Sequence, residues 1–504
     1  RQVREVHEAR GTREGSDAVD GQQGHTAWTH LPQRLLRSGS QEGTVTNSFD
    51  VVVVGAGTAG AWAASQFANA GRRVALVERK ALHDAGAHWV NGVAPWMLQQ
   101  AGVSALEGAE DRGVADAFIM ASFEGAGRVE MRPAPLRHVD MRHLSRRIQE
   151  SAVAAGVHIF DQTVSGHLTC ENGRPVALDT AGEHGDRRLE ARLFVDASGM
   201  AGVLRRQVPA FQRWCPPIAR GDICSAAQQV HAVADPDGAE AWMAQHRVHP
   251  GETLSFVSVA GGFSTLGVYV GKGYGYVEVL TGTVPTAGVP TGKVLADRFV
   301  RANPWVGERV FGGAGAIPLR RAWDRLAVPG LALVGDAACQ VFPGHGSGVG
   351  PGLVAANHLA HAARSYDDPG CLDATWRYQA NYQRDIGAVC AAYGVFRRMT
   401  QGFSSADSAA VLTAGLLTET MAAAALRQQM AMPKPLDLVQ TIAGLARQPR
   451  LAAQLAPAAF RMQAVHALYR RYPLSPHEPA LNQWAGRVAV LFGEVGSLGR
   501  ALRG

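Results

Sequence analysis

Lysine is nearly missing from this chain. Lys80, Lys272, Lys293 and Lys434 are four of 49 basic residues. Arginine makes up the rest, a balance that points to coding bias. Cysteine is also sparse. Cys170, Cys215, Cys224, Cys339, Cys371 and Cys390 are scattered, and no C-x-x-C pair occurs. That spacing argues against a disulfide framework and against a zinc site, and fits a reducing compartment. No apolar run reaches the roughly eighteen residues of a membrane-crossing helix. The most apolar stretch, Ala409 to Leu426, is broken by Thr and Glu. No dense basic run carries interleaved aromatics, so nucleic acid is not an expected partner. The first residues lack a charged-then-apolar signal pattern, and the expected location is cytoplasmic with at most peripheral membrane contact.

What is present is enough for a large fold. The 504 residues exceed one typical domain, and 46% are apolar, which allows two or three domains with a substantial core. The net charge of +6 hints only weakly at acidic partners. Residues 1–47 are polar, without a sustained period, and read as a disordered extension.

The strongest local signal is Asp50-Val-Val-Val-Val-Gly-Ala-Gly-Thr-Ala-Gly60. Four successive valines read as a strand buried on both faces, as in a parallel sheet. Gly55, Gly57 and Gly60 complete G-x-G-x-x-G. A small-residue helix from Ala59 to Ala70 follows, then a strand from Arg73 to Val77, closed by Glu78 and Arg79. Gly55 permits the tight turn, Gly57 lets backbone approach a pyrophosphate, and Gly60 lets the helix pack close to the strand. The helix N-terminus, with Ala56, Thr58 and Ala59 around it, faces the phosphates. Glu78 is placed to accept hydrogen bonds from a ribose diol.

Beyond it, the loop Ala85 to Trp96 holds His88, Trp89 and Asn91. Residues 117–131 read as short strands and His138 to Ala155 as a helix. Short strands are expected at Val157–Phe160, Val164–Leu168, Val176–Asp179 and Arg188–Ala191. Leu193-Phe-Val-Asp-Ala-Ser-Gly199 is an apolar strand ending in Asp196. From Ile223 to Val284 the chain reads as sheet, with a hairpin turn at Gly271-Lys-Gly273. Val294 to Val300 suggests a helix. Leu331-Ala-Leu-Val-Gly-Asp336 repeats the strand-into-turn pattern, and the loop Pro343-Gly-His-Gly-Ser-Gly-Val349 leads into a further helix. Asp336 then stands at a strand's carboxyl end, where parallel sheets bind ligands. From Cys371 onward the pattern is mostly helical.

These motifs, in this order, resemble the FAD-dependent oxidoreductases of the p-hydroxybenzoate hydroxylase fold, most of all the geranylgeranyl reductase family, with flavin-dependent halogenases and aromatic monooxygenases as relatives. The resemblance covers roughly residues 48–365. It implies an α/β fold: a Rossmann-type FAD-binding domain in two parts (48–215 and 325–370), an inserted β-sheet substrate domain (216–324) and a helical C-terminal segment (371–504). It implies that the first glycine loop holds the FAD pyrophosphate and Glu78 the adenosine ribose. Asp196 would lie beside the dinucleotide, Gly335 and Asp336 at the ribityl chain or pyrophosphate, and Pro343, Gly346, Ser347, Gly348 and Val349 by the isoalloxazine. The family's cofactor arginine falls at Met141 or its neighbour Arg142.

The expected activity is that of an FAD-dependent oxidoreductase acting on a hydrophobic small molecule, by reduction of an isoprenoid-type double bond or by hydroxylation of an aromatic or polyketide-like substrate. His345, in the loop expected to approach the flavin, is the candidate catalytic residue. The W-x-W-x-I-P motif of tryptophan halogenases is missing, as is any lysine between Lys80 and Lys272. The Y-x-W-x-F-P motif of geranylgeranyl reductases is also missing; Tyr274-Gly-Tyr-Val-Glu278 is the nearest sequence. No second strand-linked G-x-G-x-x-G occurs, so electrons come from transiently bound NAD(P)H or from a reduced partner protein such as a flavin reductase or ferredoxin. A non-redox flavin isomerase or cyclase, a halogenase and an NAD-dependent dehydrogenase remain the alternatives.

Overall fold

The structure is a computed structural model and describes residues 45–494, apart from residues 124, 126, 184 and 286–287. Most of the expected N-terminal extension lies outside the described residues. Its last part does not: β1 (Val45–Val54) already contains Val45 to Asn47. Val51 to Val54 of β1 are almost wholly buried, as a strand covered on both faces requires. After β1 come α1 (Thr58–Asn69), β2 (Val74–Val77), β3 (Val90–Val93), α2 (Pro95–Gln100) and β4 (Asp111–Val114). A hairpin of β5 (Ala117–Ser122) and β6 (Arg128–Met131) leads to β7 (Arg137–Asp140) and α3 (Met141–Ala154). That helix starts later than its spacing suggests. His138 and Val139 pair with β3 instead, and Asp140 caps the helix by accepting from the Arg142 N–H.

Next are β8 (His158–Phe160), β9 (Thr163–Glu171), β10 (Arg174–Gly182), β11 (Arg187–Asp196) and the short α4 (Pro209–Gln212). β11 is one strand where the sequence suggests two. Its first half pairs with β10, and its second half carries Asp196 between β1 and the later β18. Then follow β12 (Ile223–Val233), α5 (Pro236–His246), β13 (Glu252–Val257), β14 (Ser264–Val270), β15 (Tyr276–Thr283), α6 (Gly292–Ala302) and β16 (Val306–Pro318). The sequence reading missed α5, which interrupts the region read as sheet. It also missed β16, whose glycines mask a strand that pairs with β12 along its length. The chain closes with β17 (Ala327–Val328), β18 (Leu331–Leu333), α7 (Val349–Ala363) and seven helices. These are α8 (Leu372–Arg384), α9 (Ile386–Thr400), α10 (Ser405–Thr413), α11 (Glu419–Leu426), α12 (Pro435–Arg447), α13 (Pro449–Tyr469) and α14 (Glu478–Phe492).

Three sheets result among the described residues. The first has the order β17-β18-β11-β1-β2-β8, with β10 and β9 continuing from β11. β8, β2, β1, β11 and β18 run parallel, so the carboxyl ends of β1, β11 and β18 lie side by side. This is the Rossmann-type core of the expected α/β fold. The second sheet, β16-β12-β15-β14-β13-β5-β6, draws β5 and β6 from ahead of residue 216. β3, β7 and β4 form a third, small sheet.

Candidate active site

Three loops meet where the parallel strands end. The first runs from β1 into α1. Gly55 has φ +107°, and a Cβ there would collide with the Ala197 carbonyl. A Cβ at Gly60 would collide with the Gly55 carbonyl oxygen, whereas one at Gly57 would meet nothing within 4 Å. Gly55 and Gly60 therefore serve the packing of the chain itself, and Gly57 fronts open space. Gly57 caps α1 with no side-chain hydrogen bond, which leaves first-turn N–H groups free for an anion.

The second loop follows β11. The Asp196 side chain is fully buried. It accepts from the Ser198 N–H at 3.1 Å, the Ser198 hydroxyl at 2.5 Å, and the Leu204 and Arg205 N–H groups at 2.9 Å each. The Asp196 carboxylate thus organises the turn, and its neighbours Ala197 and Gly199 face the cavity.

The third loop follows β18. Gly335 takes φ +63° and Asp336 faces the cavity. Among the described residues no protein donor reaches the Asp336 carboxylate. Burial pushes it up to about 6. The Ser347 hydroxyl is buried with no partner either. Gly348 caps α7, again with no side-chain hydrogen bond.

These loops form one end of a cavity of about 690 Å³. Gly57 to Gly60, Gly335, Asp336 and Gly344 to Val349 line that end. The strands β12 to β15 form a second wall, which includes Gln228, Thr281 and Leu280. The third wall is apolar: Phe396, Phe403, Leu412, Leu416, Met421 and Leu455 come from the C-terminal helices and their connections. Of the tryptophan loop, Trp89 and Asn91 line the cavity. His88 does not; its Nε2 pairs with the Asp84 carbonyl at 3.1 Å.

Other expected cofactor residues lie outside the cavity lining. Glu78 is buried behind the first loop. It accepts from the Ala56 N–H at 2.8 Å and the Lys80 N–H at 3.0 Å, which still leaves lone pairs for a ribose. Arg79 is exposed. Pro343 is buried, and its ring lies toward Gly394 of α9. Arg142 is claimed by Asp140, at 2.7 and 3.0 Å, and by the Phe311 ring at 3.4 Å. The Arg142 guanidinium thus lies against Phe311 of β16 and outside the cavity lining, and Met141 beside it is fully buried core.

His345 does line the cavity. Its Nε2 pairs with the Leu426 carbonyl at 3.3 Å, and burial pushes the imidazole down to about 4. A neutral ring whose Nε2–H is donated to a carbonyl orients the loop against α11 and carries no charge at neutral pH. Burial also pushes the Cys224 and Cys339 thiols up to about 12, so neither is an activated nucleophile. No lysine lines the cavity among the described residues.

One cluster on the sheet wall left no signal in the sequence. The His138 Nδ1 lies 3.4 Å from Glu278, and the Arg112 Nε 3.1 Å from the same carboxylate. Tyr269 packs on the His138 ring at 5.0 Å. His138, Tyr269 and Glu278 all face the cavity. They come from β7, β14 and β15, strands that only the fold brings together.

The site fits FAD on three structural grounds. Two uncapped helix N-termini converge on it, the Asp336 carboxylate has no donor, and the backbone at Gly57 is open. Comparison with known proteins agrees. Residues 50–212 match the family described as FAD dependent oxidoreductase. The digeranylgeranylglycerophospholipid reductase 2 of Methanothermobacter thermautotrophicus is 24% identical over 370 residues, which cover 72% of this chain and 91% of the relative. The corresponding reductase of Sulfolobus acidocaldarius is 24% identical over 462 residues, 87% of this chain and 96% of the relative. A geranylgeranyl bacteriochlorophyll reductase-like protein from Thermoplasma acidophilum has the same fold. Its TM-score is 0.64 at 17% identity, over 82% of this chain and 100% of that one.

Proposed function

We propose that this chain, whose residues 50–212 match the FAD dependent oxidoreductase family, reduces carbon–carbon double bonds in the prenyl chains of a lipid. The observation that carries this reading is the continuity of the cavity. A single space of about 690 Å³ begins at the glycine loops and ends among the apolar side chains of the C-terminal helices. A prenyl chain is long, flexible and apolar, and such a wall binds it by burial alone. The two prenyl-lipid reductases described above support the same substrate class.

Asp336, Gly57 and the first turns of α1 and α7 would hold FAD. When bound, it supplies the hydride equivalent. The chain's own residues do the rest. The apolar wall excludes water. The His138–Glu278 pair, backed by Arg112, receives the polar end of a substrate, because it brings charged groups to the sheet wall of the cavity. Electrons come from NAD(P)H bound in passing or from a reduced partner protein, since the chain offers one dinucleotide fingerprint.

The test is anaerobic incubation of FAD-loaded protein with dithionite and geranylgeranylated phospholipid, followed by mass spectrometry. The expected product gains two hydrogens per reduced double bond. Unchanged lipid, together with oxygen insertion into an aromatic substrate in air, would overturn the reading.

A further inference from the structure

The surface around α12 does not behave like the rest of the molecule. Leu436, Leu438, Val439 and Ile442 are 67%, 50%, 63% and 67% exposed, and Met432, just ahead of the helix, is 85% exposed. Phe460 on the neighbouring α13 is 74% exposed. Single exposed apolar side chains are ordinary, but six within thirty residues, 432–461, mark an interaction surface. Val439 and Ile442 share one helical face with Leu438.

Two further observations say what that surface meets. The first is charge. Between residues 432 and 461 the chain carries Lys434, Arg447, Arg450 and Arg461, and one acid, Asp437. The four cations are exposed. Asp437 is buried and accepts from the Lys434 N–H at 2.7 Å. Arg450 lies 3.8 Å from Asp407 on α10 and is 78% exposed. Apolar side chains rimmed by cations suit a bilayer surface bearing anionic headgroups. The second is position. Thr441 and Leu445 of α12 and Leu455, Ala456, Ala459 and Met462 of α13 line the cavity. Ala456 and Ala459 are themselves exposed, so the cavity reaches the surface beside Phe460.

We propose that α12 and the adjoining part of α13 dock on an anionic lipid bilayer and that the cavity mouth between them admits a prenyl chain directly from it. The inference rests on the prenyl-lipid reading, and its test is separable from that reading. The full-length, FAD-loaded protein is sedimented with vesicles of phosphatidylcholine, and with vesicles of equal parts phosphatidylcholine and phosphatidylglycerol. Wild type is expected to sediment with the anionic vesicles, less so with the neutral ones, and to be released by high salt. A Val439→Asp, Ile442→Asp double variant is expected to lose about tenfold in vesicle affinity, with FAD content and melting temperature unchanged. A Lys434→Glu, Arg447→Glu variant is expected to lose the preference for anionic vesicles, and it keeps the test decisive should the first variant misfold. The proposal is overturned if wild type stays in the supernatant, or if both variants sediment as wild type does. It is equally overturned if wild type is a dimer in solution that the apolar variant dissociates, since the surface would then meet a second copy. Vesicle binding without prenyl reduction would refute the function alone. Reduction of a dissolved short prenyl substrate without vesicle binding would refute the docking alone.

Discussion

At the scale of single residues, Asp336 is the most exacting case. Burial favours the neutral carboxyl, and its folded pKa of about 6 stands above the ordinary 3.8. The sign follows directly. Between those values the folded flavin-free protein holds a proton that the unfolded chain releases, so stability falls as pH rises through that window and stays lost above it. Asp336→Asn should therefore make the flavin-free protein more stable at neutral pH by about 1–3 kcal/mol, with little effect below pH ~4. It should weaken FAD by about 1–3 kcal/mol, the scale of hydrogen bonds to a charged acceptor. Thermal melts across pH and flavin titration read both. A variant no more stable at neutral pH, and binding FAD as wild type does, would show that the carboxylate does not serve the cofactor. The placement of Asp336 was legible in the sequence, because an apolar strand followed by Gly-Asp can end only one way in a parallel sheet. Asp196 also ends an apolar strand but has a different task. Its partners are the N–H groups of residues 198, 204 and 205, and no strand pattern reports where a later turn folds back.

At the scale of elements, the strand–loop–helix units divide their glycines between packing and binding. Gly60→Ala should destabilise the protein by more than about 1 kcal/mol, because its Cβ has to displace backbone and not a flexible side chain. Gly57→Ala should leave the flavin-free melt close to wild type. Its φ of −64° suits alanine, and no protein atom lies near the added carbon. The same substitution should raise the Kd for FAD, since a methyl group would stand where a pyrophosphate must approach backbone. Melting curves and flavin titration of the two variants separate these effects; equal losses of stability would refute the division. The elements themselves were unevenly legible. β1, α1, β2 and α7 announce themselves through valine runs and small-residue helices. β16 does not, because Gly312 to Gly315 looks like a turn until β12 is seen to pair with it. α5 was hidden because its Pro-Asp-Gly start reads as a turn, while its cap is the Asp235 side chain accepting from the Gly238 N–H.

At the scale of the whole molecule, the question is what holds the helical cap over the sheets. α8, α9, α13 and α14 share a core built on Trp376, Tyr469, Tyr472 and Trp484. The link from this core to the second sheet is ionic. Asp222, just before β12, pairs with Arg397, and Arg398 reaches its other oxygen at 3.1 Å. Arg398 continues to Glu494 at 2.6 Å, and Glu494 to Arg321 at 3.0 Å. Arg321 in turn pairs with Asp324. Burial alone would raise the Glu494 pKa, but Arg321 and Arg398 pull it down to about 2. Its share of stability is thus complete above its ordinary 4.5 and is lost as pH falls toward 2. Breaking such a chain at one end leaves a buried charge with no counter-ion, and the loss exceeds what the pair itself contributed. Arg397 is 3% exposed, and without Asp222 it keeps, among the described residues, the Gly221 carbonyl. Asp222→Ala should therefore cost about 3–5 kcal/mol, while Glu494→Gln should flatten the acid limb of the stability curve. Denaturant unfolding of both variants from neutral to acid pH provides the check. If Asp222→Ala unfolds within about 0.5 kcal/mol of wild type, the cap is held by its apolar contacts and the ionic chain is incidental.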